Sequence, residues 1–467
     1  MRRRFLAMVC GVLLPLVLSA DTIDLSVTSG DLHVLGPAAN AFIGASVTQG
    51  DINGDGLGDL VVGVPFASPS GRPQAGEVYV VYGDSNQAPS LDLSIAAGLL
   101  VIHGDLDGGQ LGWPVETGDV NGDGFDDIIA AATKASPPGI IKAGRAYIIH
   151  GGATLADTID LRSTPADVTL TGGIDHELGS AIATGDVDGD GLDDLVISAS
   201  QAPSYGLTQA GRVHIIYGPL NTTYDLDSYS SADLVVLGKA ANEDLGTDLE
   251  VADFDGDGFA DVIMAAFEAD AGLLLRAGEV YVLKGSPDFA HTAFDLAVVT
   301  PRATVAGSAA FDQAGYSVAA GDMNYDGVPD LAIGASRAAP DPSRAACGIV
   351  YLLDGDDLTG TISLADSTSV LTEIWGSNPG WRLGSSLEIL NANGDGMEDL
   401  LIGETSAAVH GPVTGSVYLI AGDQQLPGTI DLSVVGADRT IIGAMGGDNT
   451  GFDVAGGDIN GDGVDDL

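Results

Sequence analysis

Oxygen-bearing side chains recur at alternate positions of one short stretch, most fully as Asp186-Val187-Asp188-Gly189-Asp190-Gly191-Leu192-Asp193-Asp194. Carboxylates stand at positions 1, 3, 5 and 9, and glycines at 4 and 6. Short side chains at alternate places can point inward at one hard cation. A glycine at position 6 permits the sharp turn that lets them converge. Calcium takes roughly six to eight oxygens, so four side chains, the carbonyl of position 7 and water suffice. Magnesium demands a tighter octahedron and keeps its waters, so a cage of carboxylates favours calcium.

The stretch occurs seven times, with first residues offset by 68, 67, 67, 69, 69 and 67. The first set is Asp51, Asn53, Asp55 and Asp59 with the carbonyl of Leu57, and the second Asp119, Asn121, Asp123 and Asp127 with that of Phe125. The third is Asp186, Asp188, Asp190 and Asp194 with Leu192, and the fourth Asp253, Asp255, Asp257 and Asp261 with Phe259. The fifth is Asp322, Asn324, Asp326 and Asp330 with Val328, and the sixth Asn391, Asn393, Asp395 and Asp399 with Met397. The seventh is Asp458, Asn460, Asp462 and Asp466 with Val464. Up to seven calcium ions are expected. Affinity rises with ligand charge, so the loops at Asp186 and Asp253 should fill first and the loop at Asn391 last.

A near-constant offset marks an internal repeat, which governs the reading of the fold. An EF-hand also opens Asp-x-Asn-x-Asp-Gly, but it needs a bidentate Glu at position 12 and flanking helices. Position 12 here is Val62, Ala130, Ile197, Met264, Ile333 or Ile402. Nonapeptide calcium repeats fail on the period. A solvated acidic turn would need one or two such residues, not four alternating oxygens every time.

The flanks of each stretch must therefore be strands. An apolar, partly β-branched run follows each loop, as in Leu60–Val64 and Leu195–Ala199, and Gly-x-Val-Tyr-like segments follow at Gly76 and Gly278. Short strands at 34–36, 101–104, 169–172 and their counterparts complete the unit, with Leu-Gly turns at 111–112, 178–179, 245–246 and 383–384. About four strands per repeat is the content of one propeller blade. The expected fold is all-β: a seven-bladed β-propeller with mainly antiparallel strands. Its last blade is incomplete, because only Leu467 follows the seventh loop. The strands at 22–36 are expected to serve as the outer part of that blade.

The Leu-Gly turn, the Asp-x-Asn-Gly-Asp-Gly-x-x-Asp-Leu loop and the Gly-x-Val-Tyr-Val strand resemble FG-GAP repeats over essentially residues 22–467. Such repeats form the propeller of integrin α-subunits and occur in bacterial surface proteins. The resemblance implies calcium in the loops and adhesion or protein recognition on a propeller face. Asn391 at position 1 and Tyr325 at position 4 depart mildly from the pattern. The near absence of cysteine means that integrin-specific pairing is not implied.

Composition narrows the partners. A formal net charge of −49 disfavours nucleic acid and anionic membrane surfaces. Residues 1–20 read as an export signal, with Arg2, Arg3 and Arg4 before an apolar run too short to span a bilayer comfortably. Residues 21–467 form the propeller domain. With Cys10 inside the signal, only Cys347 is left and no internal disulfide is possible, which suits an exported bacterial protein. The expected location is the extracellular space or cell surface. The expected partner is an extracellular protein or glycan, and no transmembrane segment is expected in this sequence. No Gly-x-Ser-x-Gly elbow, His-Glu-x-x-His or phosphate loop occurs. His150 and His214 read as packed strand residues, His176 as a surface residue, and the recurring Tyr79, Tyr147, Tyr281, Tyr351 and Tyr418 as blade packing. The chain therefore reads as a calcium-binding recognition propeller rather than an enzyme. The alternative is the propeller part of an extracellular hydrolase or lyase.

Overall fold

The computed structural model describes residues 21–467 except 28–31, 33, 39–40, 86–89, 96, 290–291, 367 and 369. The export signal, Cys10, His33 and His291 lie outside the described residues. The architecture is an all-β propeller of six five-stranded sheets. Blade 1 runs from its innermost strand Val47–Gly50 through Asp59–Val64 and Glu77–Val81 to Leu100–His103. Blades 2 to 6 repeat that antiparallel meander, opening on Val115–Gly118, Ile182–Gly185, Leu249–Ala252, Ala314–Gly321 and Leu387–Leu390.

The second strand of each blade is buried at every residue, as in Asp127–Ala132 and Asp194–Ala199. Blades stack face to face, so both faces of that strand meet apolar neighbours, and its sequence is a continuous apolar run rather than an alternating one. Between blades 2 and 3, Ile129 and Ile148 pack with Leu195 and Ile197. Fully burying one such side chain contributes about 1.5–3 kcal/mol. The five recurring tyrosines lie in these layers and reach polar partners: Tyr79 donates to Glu77 at 2.8 Å, Tyr147 to Asp105 at 2.6 Å and Tyr418 to Glu404 at 2.8 Å.

Three expectations need correction. The five-stranded blade sheets number six rather than seven, beside one two-stranded sheet. Among the described residues the seventh repeat builds no five-stranded blade sheet. Its acidic loop is pinned instead by the antiparallel bridge between Gly457 and Asp466. Each complete blade has five strands; in blades 1 to 5 the connection between the third and fourth strands of the following repeat adds the parallel outermost strand. Thr158–Asp160 thus pairs with Val101–His103 of blade 1. Finally, of the segment 22–36 only Val34–Leu35 takes the expected outer place of the seventh repeat, pairing in parallel with Leu91–Asp92 as other fourth strands pair with the next repeat, whereas Asp21–Asp24 lies parallel to Arg439–Ile442 at the edge of blade 6. Strand pairing across repeats leaves no trace in local sequence pattern, which is why these placements were not legible.

Candidate metal sites

The first six acidic loops each join the first and second strands of a blade, and the seventh is hydrogen-bonded to the first and the sixth, so all lie at one end of the propeller. The position-1 carboxylate organises the turn. Asp51 accepts the N–H groups of Gly54, Asp55 and Gly56 at 2.8, 3.0 and 2.9 Å. Asp119 and Asp458 do the same in their loops. Asn391 accepts only from Gly394, at 3.0 Å. A carboxamide has one acceptor oxygen where a carboxylate has two. The glycine at position 6 sits in the left-handed region, at φ 88° for Gly191.

The position-9 aspartates Asp59, Asp127, Asp194, Asp261, Asp330 and Asp399 are wholly buried at the start of the second strand. Asp59, Asp127 and Asp194 each accept the N–H of the glycine 24 residues onward, at 2.8, 2.9 and 2.8 Å. Burial pushes these acids up, to about 7 for Asp127, Asp194, Asp330 and Asp399 and to about 6 for Asp59 and Asp466. The other loop carboxylates raise several of them further.

The donor set fits a hard cation. In the second loop, Oδ2 of Asp127 is buried with no hydrogen-bond partner. An orphaned buried anionic oxygen is costly unless something positive meets it. In the third loop, one carboxylate oxygen each from Asp186, Asp188 and Asp194 lie within 4.8 Å of one another. Asp253, Asp255 and Asp257 form a second such group in the fourth loop.

Position 8 was not singled out in the sequence, yet it links the loops. Asp126 Oδ2 accepts the N–H of Asp51 at 2.7 Å, Asp193 that of Asp119 at 3.0 Å, Glu398 that of Asp322 at 2.5 Å and Asp465 that of Asn391 at 3.0 Å. The acid immediately before position 9 was the available signal. Backbone donors add links where the side chain is small: Ala260 N–H to Asp186 carbonyl at 2.8 Å, and Gly58 N–H to Asp458 carbonyl at 2.9 Å. The second of these ties the seventh loop to the first. Position-7 side chains add a further contact, since a methyl on Gly122 would meet Leu192 Cδ2 at 2.8 Å.

The fourth loop departs from this pattern. Lys284 places its ammonium 2.5 Å from Asp255 Oδ2 and 2.7 Å from Asp257 Oδ2. Arg302 pairs with Asp261 and lies 3.4 Å from Asp255. Among the described residues, no other acidic loop has a Lys or Arg at salt-bridge distance. A count of carboxylates, which ranks this loop with the third, does not register these cations. The neighbouring position 8 is Pro329, which has no N–H to donate to Asp253.

Two further readings of single residues are settled by burial. His214 is completely buried, as expected. His176 is only 3 % exposed, and its Nδ1 accepts the N–H of Gly173 at 3.0 Å, so it is not a surface residue. Burial lowers its pKa to about 4.

With the loop geometry in view, the comparisons with known proteins are direct. The FG-GAP repeat model matches residues 43–81, 112–149, 178–216, 245–283 and 314–353, each span taking in the first three strands of a blade and the acidic loop between the first two. The chain is an FG-GAP repeat β-propeller. It is 26% identical over 424 residues to bovine (Bos taurus) phosphatidylinositol-glycan-specific phospholipase D, covering 85% of this chain and 49% of that protein. It is 26% identical over 258 residues to integrin alpha-PS2 of Drosophila melanogaster, covering 54% of this chain and 17% of the integrin. The chain thus spans about half the length of the bovine enzyme. A solved rhamnogalacturonan lyase from Bacillus licheniformis is similar at 14% identity and a TM-score of 0.36, over 82% of this chain and 60% of the lyase. No helix among the described residues is long and apolar enough to cross a membrane.

Proposed function

We propose that this chain is the calcium-stabilised recognition propeller of an exported, bacterial-type surface or secreted protein. Calcium is held by the side chains at positions 1, 3, 5 and 9 and the carbonyl at 7, and an extracellular protein or glycan is bound at the opposite end. The observation that carries this reading is the segregation of the two ends. The acidic loops lie between first and second strands. Apart from Tyr325 in the fifth acidic loop, large exposed apolar side chains collect away from the acidic loops, notably in the loops after the second and fourth strands: Ile141 is 67% exposed, Tyr205 67%, Leu273 98% and Phe311 52%. An apolar surface of this kind, rimmed by polar loops, suits a docking face. Metal on one end stiffens the blades, and the other end is free to vary in sequence.

The test is binding of the purified chain to arrays of extracellular proteins and glycans with calcium present. Leu273→Asp and Ile141→Asp should abolish capture while leaving the melting temperature unchanged. Capture unaffected by both substitutions would place recognition elsewhere.

The alignment to the bovine phospholipase D over most of this chain favours a second reading, in which the propeller belongs to a larger hydrolase and serves its substrate binding. Binding of a glycosylated lipid by the purified chain would favour it. Capture of an extracellular protein with no affinity for glycosylated lipid leaves the first reading in place.

A further inference from the structure

The geometry points to the fourth loop as a site filled by the protein's own cations: Lys284 and Arg302 occupy the place of a metal in loop 253–261 and keep it empty of calcium at concentrations that fill the third loop. This rests on the calcium reading above.

The two basic side chains reach the loop differently. Arg302 is 11% exposed and fixed, donating to the carbonyls of Leu358 and Phe254 at 3.1 and 3.2 Å as well as to Asp261. Lys284 is 48% exposed and arrives from the turn after the third strand of the same blade. Its ammonium sits between Asp255 and Asp257, the acids at positions 3 and 5, which in a filled loop would both face the ion. A single calcium cannot share those oxygens with an ammonium 2.5 and 2.7 Å away, because like charges at that separation repel. Calcium entry therefore requires Lys284 to swing out, and Arg302 still leaves a positive charge beside Asp261.

The fourth loop is also the one with the weakest tie to its neighbour. Pro329 offers no N–H to Asp253, and a methyl on Gly256 would meet nothing within 4 Å, whereas Gly189 and Gly394 are covered by Phe259 and Val464 of the adjoining loops. Without a loop-to-loop tie to the next blade, the loop is held by the packing of Phe254 against that blade and by salt bridges within its own. Lys284 acts on the loop as a positioning residue and a competitor, not as a ligand.

The experiment is calorimetric titration of the whole chain, stripped with chelator, against calcium chloride. Asp188→Asn in the third loop should remove one tight site, whereas Asp255→Asn should leave the number of tight sites unchanged. Lys284→Ala should add one site or tighten the weakest by at least tenfold, and Lys284→Arg should not. The Asp255→Asn/Lys284→Ala double variant should lose the gain. In chelator, Lys284→Ala should melt at a lower temperature than the parent, a readout that needs no calcium. Loss of a tight site in Asp255→Asn, or an unchanged titration in a folded Lys284→Ala, overturns the inference. If Asp188→Asn also changes nothing and no loop binds, the calcium reading itself fails. If Asp188→Asn loses a site while Lys284→Ala gains none, only the assignment of the fourth loop fails.

Discussion

The carboxylate of Asp126 accepts the backbone N–H of Asp51 across 2.7 Å, joining the acidic loop of one blade to that of the next. Asp193 and Asp119 repeat the contact one blade further on. The loops are therefore laterally connected in series, with a break between the fourth and fifth at Pro329, and the order of each linked loop depends on its neighbour.

Breaking one link should be measurable. A hydrogen bond to a charged group contributes about 1.5–3 kcal/mol, and Asp126 is half-buried, so Asp126→Ala is expected to cost about 1–2 kcal/mol in denaturant unfolding. Calcium affinity of the first loop should fall with it. An unchanged affinity together with a large loss of stability would mean that the link is structural only.

Metal removal should lower stability broadly. Binding to the folded state alone adds about 2.7 kcal/mol per site at one hundred times the dissociation constant. Exhaustive chelation is expected to lower the melting temperature by many degrees, and calcium to restore it. A melt indifferent to chelator would remove the case for metal.

The propeller axis gives a pH dependence of opposite sign. A cavity of about 740 Å³ runs along it, and Glu116, Asp248, Glu250, Glu388 and Asp453 face it from the innermost segments. Asp126 and Asp193 also line it, and no Lys, Arg or His does. Burial pushes Glu116 and Asp248 up to about 7, Glu250 to about 8 and Asp453 to about 6, while Glu388 is raised well above its usual range by burial and by Glu250 and Glu116. Acids raised on folding bind more protons folded than unfolded. Their contribution is complete below the ordinary carboxylate range near pH ~4 and is lost as pH rises through about 6 to 8. In chelator, the melting temperature should fall from about pH 5 to about pH 8.5, and Glu250→Gln should flatten the curve. A rising curve in chelator would contradict the assignment.

Two glycines of the first loop should respond unequally to a methyl group. Both are left-handed, Gly54 at φ 73° and Gly56 at φ 87°, and alanine there costs about 1–2 kcal/mol. Nothing lies within 4 Å of a methyl on Gly56, whereas one on Gly54 would collide with the Phe125 ring of the next blade. Gly54→Ala should therefore destabilise more than Gly56→Ala in parallel denaturant titrations. Equal costs would show that Phe125 yields freely.

The features legible in the sequence were those set by local pattern. The loop at Asp186, its recurrence, and the buried runs such as Leu195–Ala199 follow from alternation and spacing along one stretch. What was not legible depends on residues far apart in the chain. Lys284 lies 29 residues beyond Asp255 in a turn of ordinary composition, so a charge count over the loop overlooked it. His176 looked like a surface residue between two acids but is enclosed by its own turn. The blade count and the position of Asp21–Asp24 depend on which edge strand accepts which partner, a choice made by tertiary contact.

The fifth strands have a mechanical consequence. Asp21–Asp24 meets Arg439–Ile442 as a parallel pair over four residues. Tension drawn from the N-terminus along that strand loads its hydrogen bonds together, in shear, rather than opening them one at a time. A molecule pulled from that strand would load the outer edge of blade 6 first, and Val34–Leu35 only once those four residue pairs had parted.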